Sequence, residues 1–343
     1  MELATNLSIF SSLSPVDSSI YVKGEACFMF DVNFNSTRFL YVTHILTSII
    51  NSLLSVTAIA GNAAVIFTVW KNPSLQSPSN VFICCLAGSD LMVGLLAQPC
   101  FILHKIGEIF HRLEMYCVTR MLLEFVAHIT TGGSVFTMAA AGLDTWLALY
   151  LHLRYNEIVT VRRVLFVIAC FWIFLIALAV LRVFLIRPNV YNTILITLLS
   201  LCLLSTYFAC VKVLKCVRQH ERRIHATGVS LGQTEGKGGR LMSLLQCKKS
   251  TISMFLIVGI FTVCFLPLLC VSFVHQISGY TVNVKIAYAF VSTLAFMNSS
   301  VNPLVYCWRM KTLRNAVKTT VKDRLCKRLL KNSSSRKKPE PLY

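Results

Sequence analysis

The chain has 343 residues, 55% of them hydrophobic and only 14% charged, with a formal net charge of +19. The apolar residues lie in long blocks, which excludes an ordinary soluble domain around one dispersed core. The basic excess could suit nucleic acid, but 25 of the 33 Lys and Arg residues fall in alternate segments between the blocks, so it reads as one face of a membrane protein and excludes a nucleic-acid role.

Met1 to Phe34 lacks a basic stretch followed by an apolar core, so the first block is expected to direct insertion itself. Sequons at Asn6 and Asn35 suit a glycosylated lumenal tail; the same pattern at Asn298 and Asn332 is read as chance. Seven apolar runs of membrane-crossing length follow: Phe39–Trp70, Ser79–Leu103, Met115–Tyr150, Val164–Leu181, Pro188–Val211, Ser250–His275 and Ile286–Trp308. The second carries Asp90, the third carries Arg120, Glu124 and Asp144, and the last four carry no Asp, Glu, Lys or Arg. The basic segments make the C-terminal side cytoplasmic and the N-terminus extracellular.

The first run holds Gly61-Asn62, an amide that needs a partner from a neighbouring helix. In the second, Asp90 lies near mid-membrane and Pro99 predicts a kink. The third contains Gly132-Gly133 and ends at Asp144, an ionisable group where hydrocarbon gives way to water. A helix-end charge is the plain alternative for Asp144. The fourth keeps Trp172, and the fifth ends in Tyr207 and KVLKCVRQHERRI. Thr227 to Gly239 reads as a mobile loop. Pro267 makes a bend point in the sixth run, and the seventh ends in NSSVNPLVY. WRMKTLRNAVKTTV then alternates basic and apolar residues at helical spacing.

The expected fold is an all-α membrane protein, a seven-transmembrane helix bundle with a short amphipathic helix after the last span. Its parts are an extracellular tail (1–38), the bundle (39–308), the surface helix (309–322) and a cytoplasmic tail (323–343). Of 14 cysteines most lie inside spans, and Cys27 with Cys117 form the one clear extracellular pair, a candidate bridge. Cys326, in the basic tail, is a candidate for palmitoylation or a plain thiol.

Gly61-Asn62, Leu86-Ala87-Asp90-Leu91, Asp144 with Leu153-Arg154-Tyr155, Trp172, Tyr207, Phe265-Leu266-Pro267 and Asn302-Pro303-Leu304-Val305-Tyr306 stand in this order on successive spans. Together they resemble the rhodopsin-like (class A) G-protein-coupled receptors, over about Leu40 to Thr320. The tiny cysteine-free segment before the fifth span, the lack of proline within that span, and LRYNEIVTVRRVLFVIACFW are similar to the melanocortin cluster and its lipid- and adenosine-binding relatives.

The resemblance implies an extracellular ligand, a cytosolic G protein or arrestin, contact with membrane lipid, and residence in the plasma membrane. It implies a sodium and water pocket at Asp90, Ser134, Asn298, Ser299 and Asn302, with an ion-free polar core as the alternative. No cofactor beyond that allosteric ion is expected. Glu124 matches an acidic position of melanocortin receptors, and His128, Tyr191, Phe265, His275, Tyr288 and Ser292 line the ligand pocket by position. Arg120 precedes Glu124 by one helical turn, so an internal pair competes with ligand binding. Ala127 replaces the Asp of amine receptors and Phe296 the Lys of opsins, which argues against a monoamine and excludes a retinal Schiff base.

The activation switch is expected in Asp144, Tyr207, Pro267, Asn302, Pro303 and Tyr306. Thr145 stands where the family keeps an Arg, and it carries neither charge nor a bidentate fork. Either another cation substitutes (Arg154 or one near Arg223), or coupling is weak, or the protein signals differently. The expected function is a receptor for an extracellular peptide or a small polar or lipid-like ligand. The alternatives are a receptor-like protein with impaired or G-protein-independent signalling, and a membrane transporter. No nucleophile–base or metal-ligand spacing points to an enzyme.

Overall fold

The computed structural model describes Phe34 and residues 37–151, 154–184, 188–230, 237–309 and 313–319. Asn6, Asn35, Cys27 and Cys326 lie outside them. Seven helices are long and apolar enough to cross a membrane: α1 Arg38–Lys71, α2 Pro78–Ile109, α3 Leu113–Leu151, α4 Val161–Phe184, α5 Pro188–Ser230, α6 Lys237–Ser278 and α7 Val282–Arg309. A short helix, α8, covers residues 313–319. There is no strand among the described residues, and the expected all-α seven-helix bundle is present.

A helix in hydrocarbon turns the usual pattern inside out. The buried face of α1 runs Thr43, Thr47, Asn51, Ser55, Ala58 and Asn62, at three- and four-residue spacing, with His44 beside Thr43. Its exposed face carries Phe39, Leu46, Leu53 and Val56. Lipid solvates apolar side chains as well as protein does, whereas polar groups must find partners, so the polar stripe faces inward. The helix starts at Thr37, whose hydroxyl accepts from the Leu40 N–H at 3.2 Å.

The bend expected at Pro99 is spread over a π-helical turn, Val93–Ala97, immediately upstream. Proline lacks an N–H and crowds the carbonyl four residues earlier, inside that turn, and the wider winding absorbs the conflict. It also brings the Gly94 carbonyl within 2.8 Å of the Ser55 Oγ of α1. Two glycines set close approaches. A Cβ on Gly61 would lie 2.9 Å from Pro303 Cγ, and one on Gly133 would lie 2.8 Å from Trp172 Cζ2. Any larger residue would force α1 from α7, or α3 from α4.

Two expectations change. Thr227 to Gly239 is helical at both ends: α5 continues to Ser230 and α6 begins at Lys237, with 231–236 outside the described residues. An anchored helix gains one hydrogen bond for each residue it adds, which outweighs weak local propensity. The last four spans are also not free of charge: Lys285 lies on α7 and is fully buried, and Arg182 on α4 is buried.

Phe261 and Phe265 of α6, Val135 and Met138 of α3, and Tyr306 of α7 share the main apolar cluster. Leu313 of α8 is inserted into it, which fixes the short helix against the bundle end.

Candidate functional site

Polar side chains form three layers along the bundle, and the middle one is built on Asp90. Its Oδ1 accepts from Ser299 Oγ at 2.7 Å and from Ser134 Oγ at 3.1 Å; its Oδ2 accepts from Asn302 Nδ2 at 2.7 Å. All four side chains are buried. Asp90 thus joins α2 to α3 and α7, and Ser134 also lies 2.9 Å from Ser89 Oγ. Asn298, expected in the same cluster, is buried with an unpartnered Oδ1. A carboxylate, two hydroxyls and that amide oxygen make an all-oxygen donor set, which fits a hard cation. Around this layer α1 is tied in by Asn62, which donates to the Ser299 carbonyl at 2.9 Å. Nearer the start of α1, Asn51 donates to Thr293 Oγ1 at 2.8 Å and accepts from Gln98 at 3.3 Å.

The second layer, at the end where α1 begins, is organised by an acid that sequence reasoning missed. Glu108 Oε1 accepts from Lys285 Nζ at 2.9 Å, while Oε2 lies 3.0 Å from His44 Nε2 and 3.5 Å from Lys105 Nζ. All four groups are at most 5% exposed. The cluster fastens α1, α2 and α7. Lys105 and Glu108 lie just past the point where the second apolar run ends, and Lys285 one residue before the seventh begins. Extending the second helix by two turns would have shown their i,i+3 pairing.

Beside it, Arg120 Nε is 3.5 Å from Glu124 Oε1, and another guanidinium nitrogen donates to Tyr116 OH at 2.7 Å. The guanidinium also lies over the Tyr280 ring, 4.7 Å from its centroid. The internal Arg120–Glu124 pair is therefore formed. Burial pushes the Tyr280 phenol well above its ordinary range, against the pull of Arg120, so it stays a neutral donor.

The other pocket candidates fall into two pairs and two separate residues. His128 Nδ1 lies 3.3 Å from Tyr191 OH, with Arg182 5.7 Å from the Tyr191 ring. His275 Nδ1 lies 3.1 Å from Tyr288 OH. Ser292 is half-buried on α7. Phe265 is buried in the main apolar cluster, packed on Phe261 with ring centroids 4.6 Å apart. Cys117 is disulfide-bonded, and Cys84, Cys85, Cys100, Cys170, Cys202, Cys210, Cys216, Cys264, Cys270 and Cys307 are free.

The third layer, at the opposite end, centres on Asp144. Ser79 Oγ donates to Oδ2 at 2.8 Å and Tyr155 OH to Oδ1 at 2.7 Å. Thr145 turns back on its own helix and donates to the Ala141 carbonyl at 2.9 Å. Arg154 is exposed and forms no ion pair with Asp144 among the described residues; the side chain of Arg223 lies outside them. Tyr207 OH meets Thr262 Oγ1 at 2.7 Å, linking α5 to α6, and Tyr306 is buried in the core. Pro267 lies within α6 and Pro303 within α7. The tyrosine that holds Asp144 is thus Tyr155, which the motif contained but to which no role was given. Burial, and next the bond to Asp144, push its hydroxyl up to about 12, so it remains a donor.

The profile described as "7 transmembrane receptor (rhodopsin family)" matches residues 61–192 and 187–306. The chain is 26% identical to adenosine receptor A2b of Gallus gallus, over 81% of this chain and 89% of that protein. It is 27% identical to adenosine receptor A2a of Homo sapiens, over 79% and 70%. To melanocortin receptor 4 of Danio rerio it is 25% identical, over 77% and 80%.

Proposed function

Because the chain belongs to the rhodopsin family of seven-transmembrane receptors, we propose that it sits in the plasma membrane with the Glu108 end outside. There it binds a ligand, and through the Asp144 end it signals to a heterotrimeric G protein and arrestin. The observation that carries this reading is the Asp90 layer, whose bonds tie α2 to α3 and α7 midway between two polar ends. A ligand that changes the packing of α3 or α7 at one end must disturb those bonds, which biases the arrangement at the other. Pro267 supplies the bend about which α6 moves.

The ligand surface is formed by the His128–Tyr191 and His275–Tyr288 pairs with Ser292, and Phe265 acts from below as packing. Arg120 already engages Glu124, which disfavours a basic peptide side chain as the ligand's main anchor. Adenosine and melanocortin peptides, named by the relatives, are the first ligands to screen. Sodium would be held by Asp90, Ser134, Ser299 and Asn298, with Asn302 orienting the carboxylate; bound there it supplies a countercharge. Cys27, in the tail that the sequence reads as extracellular, is the proposed disulfide partner of Cys117, Asn6 and Asn35 carry glycans, and Cys326 an acyl chain.

A second reading follows from Thr145, whose hydroxyl is spent on Ala141 while Asp144 holds only neutral donors. On it, the receptor couples weakly or signals without G protein. Nucleotide exchange on a panel of G proteins, basal and ligand-screened, separates the two when wild type is compared with Thr145→Arg. Exchange by the wild type supports the first reading. Exchange by the variant alone supports the second, and solute uptake or current with neither would reinstate a transporter.

A further inference from the structure

We propose that the exposed face of α5 from Lys212 to Arg222, with Trp146 of α3, binds a multiply phosphorylated phosphoinositide headgroup of the inner leaflet. The leaflet rests on the orientation proposed above; the site itself rests on the pattern of burial along α5. Ala209, Cys210, Val213 and Val217 are buried and pack toward the bundle. Lys212, Lys215, Arg218 and Arg222 are all exposed. At about 100° per residue these four cations fall within roughly one third of the helix circumference. They continue the lipid-facing stripe of Leu204 and Phe208, both exposed. One face of one helix therefore passes from hydrocarbon contact directly into a cationic ladder.

Lys212 is held, not merely exposed. Its Nζ lies 5.2 Å from the Phe208 ring centroid and 5.9 Å from that of Trp146. Trp146 stacks on Tyr150 and meets Phe208 edge-on, with centroids 5.6 and 5.8 Å away. Aromatic rings around a long basic side chain mark the level of the membrane interface, with the ammonium directed to the headgroups.

The length of the ladder selects the ligand. From Lys212 to Arg222 the helix rises about 15 Å, whereas the headgroup layer of one leaflet is only about 5–7 Å thick. A single phosphodiester meets Lys212 and Lys215. Only a headgroup that stands above that layer and carries more phosphates meets Arg218 and Arg222 as well. A protein partner is the less favoured occupant, because the ladder shares its face with lipid-exposed residues while the face of α5 toward the bundle interior is already packed.

The test uses the purified full-length chain in detergent, titrated with fluorescent phosphatidylinositol bisphosphate, phosphatidylserine or phosphatidylcholine. It needs neither ligand nor signalling, so it fails or succeeds apart from the receptor reading. Each cation near a membrane surface contributes about fivefold in affinity. Lys212→Gln/Lys215→Gln/Arg218→Gln/Arg222→Gln should weaken bisphosphate binding at least about fiftyfold, and Trp146→Ala/Phe208→Ala about fivefold. The matched tail variant Lys327→Gln/Arg328→Gln/Lys331→Gln/Arg336→Gln should bind as wild type. Equal binding by the ladder variant, equal loss in both quadruple variants, or no preference for bisphosphate over phosphatidylserine would overturn the proposal. So would lost G-protein recruitment with lipid binding intact, which reassigns the face to protein. If the quadruple variant does not purify, Arg218→Gln and Arg222→Gln singly, each at an exposed position, should each weaken bisphosphate binding about fivefold and leave phosphatidylserine binding unchanged; unchanged bisphosphate binding by both would overturn the proposal.

Discussion

At one end of the bundle Glu108 meets three basic side chains drawn from three helices; at the other, Asp144 meets only the hydroxyls of Ser79 and Tyr155. The first acid is enclosed by α1, α2 and α7 and its partners are held as tightly as it is. The second is tied to the start of α2 and to the single turn Tyr155–Ile158 beyond α3. A buried charge among charges is costly to separate, because each group left behind faces low dielectric. A carboxylate on neutral hydroxyls can exchange them for water, losing roughly 1–3 kcal/mol per bond. So the first end is a clasp and the second is a latch.

The largest effect expected from breaking this contrast is at the clasp. Glu108→Gln removes the carboxylate that Lys105 meets, and loss of one partner from such a cluster costs about 3–5 kcal/mol. The variant should melt far below wild type in detergent and reach the cell surface poorly. Adding Lys105→Met, which replaces the stranded ammonium with an apolar chain, should recover part of that loss. A Glu108→Gln protein with a wild-type melting curve would mean that the cluster is not what fastens the three helices.

At the latch the loss should appear as activity and leave folding intact. Tyr155→Phe keeps the ring and removes one hydrogen bond to Asp144, worth about 1.5 kcal/mol at a half-buried site, or roughly tenfold in a conformational equilibrium. Basal signalling should rise while melting barely changes. The pH dependence has a definite sign. The folded-state value of Tyr155 is raised to about 12 from an ordinary 10, so its contribution is complete below about pH 10 and is lost only as pH rises through about 12. The difference between Tyr155→Phe and wild type should therefore be constant from pH 6 to 9. A difference that varies across that range would show that another group, not this phenol, holds the acid.

Between clasp and latch, the Asp90 layer should respond to sodium by a smaller amount. If sodium is present at about five times its dissociation constant, it stabilises by about 1 kcal/mol. Wild-type protein should melt higher in sodium than in choline, and Asp90→Asn should show no such difference. Equal sodium dependence in both would leave an ion-free polar core.

The latch and the middle layer were far more legible in the sequence than the clasp. Asp90 and Asp144 interrupt long apolar runs, so their cost in hydrocarbon marks them without any structure. The cluster at Glu108 sits where hydropathy has already fallen: Lys105, Glu108 and Lys285 lie at the edges of runs, where charges are unremarkable. Only the helices' continuation past those edges buries them, and that is a property of packing. Phe265 was placed by the ligand from its position in a motif, and its packing in the core beside Phe261 is a further property that no residue pattern marked. The π-helical turn before Pro99 was visible only as a proline, because which of several nearby peptide units yields depends on the neighbouring helix.

The smallest effect expected is also the most specific. Thr145→Arg puts a guanidinium one residue from Asp144, at a half-buried position near the helix end, where an ion pair is worth about 0–1 kcal/mol. Basal signalling should fall by no more than about fivefold. The sharper reading comes from combining it with Tyr155→Phe. If the new cation takes over the Asp144 oxygen that Tyr155 holds now, removing the phenol matters less in the Arg background, and the two changes are not additive. If Arg and Tyr155 occupy different oxygens of the carboxylate, displacing Ser79 instead, the changes add and the Ser79→Ala effect is the one that shrinks. Full additivity of Thr145→Arg with both Tyr155→Phe and Ser79→Ala would show that the introduced cation never reaches Asp144. The Thr145 hydroxyl turns back to Ala141 along its own helix, whereas an arginine is long enough to reach Asp144 next to it, and the outcome expected is non-additivity with Tyr155.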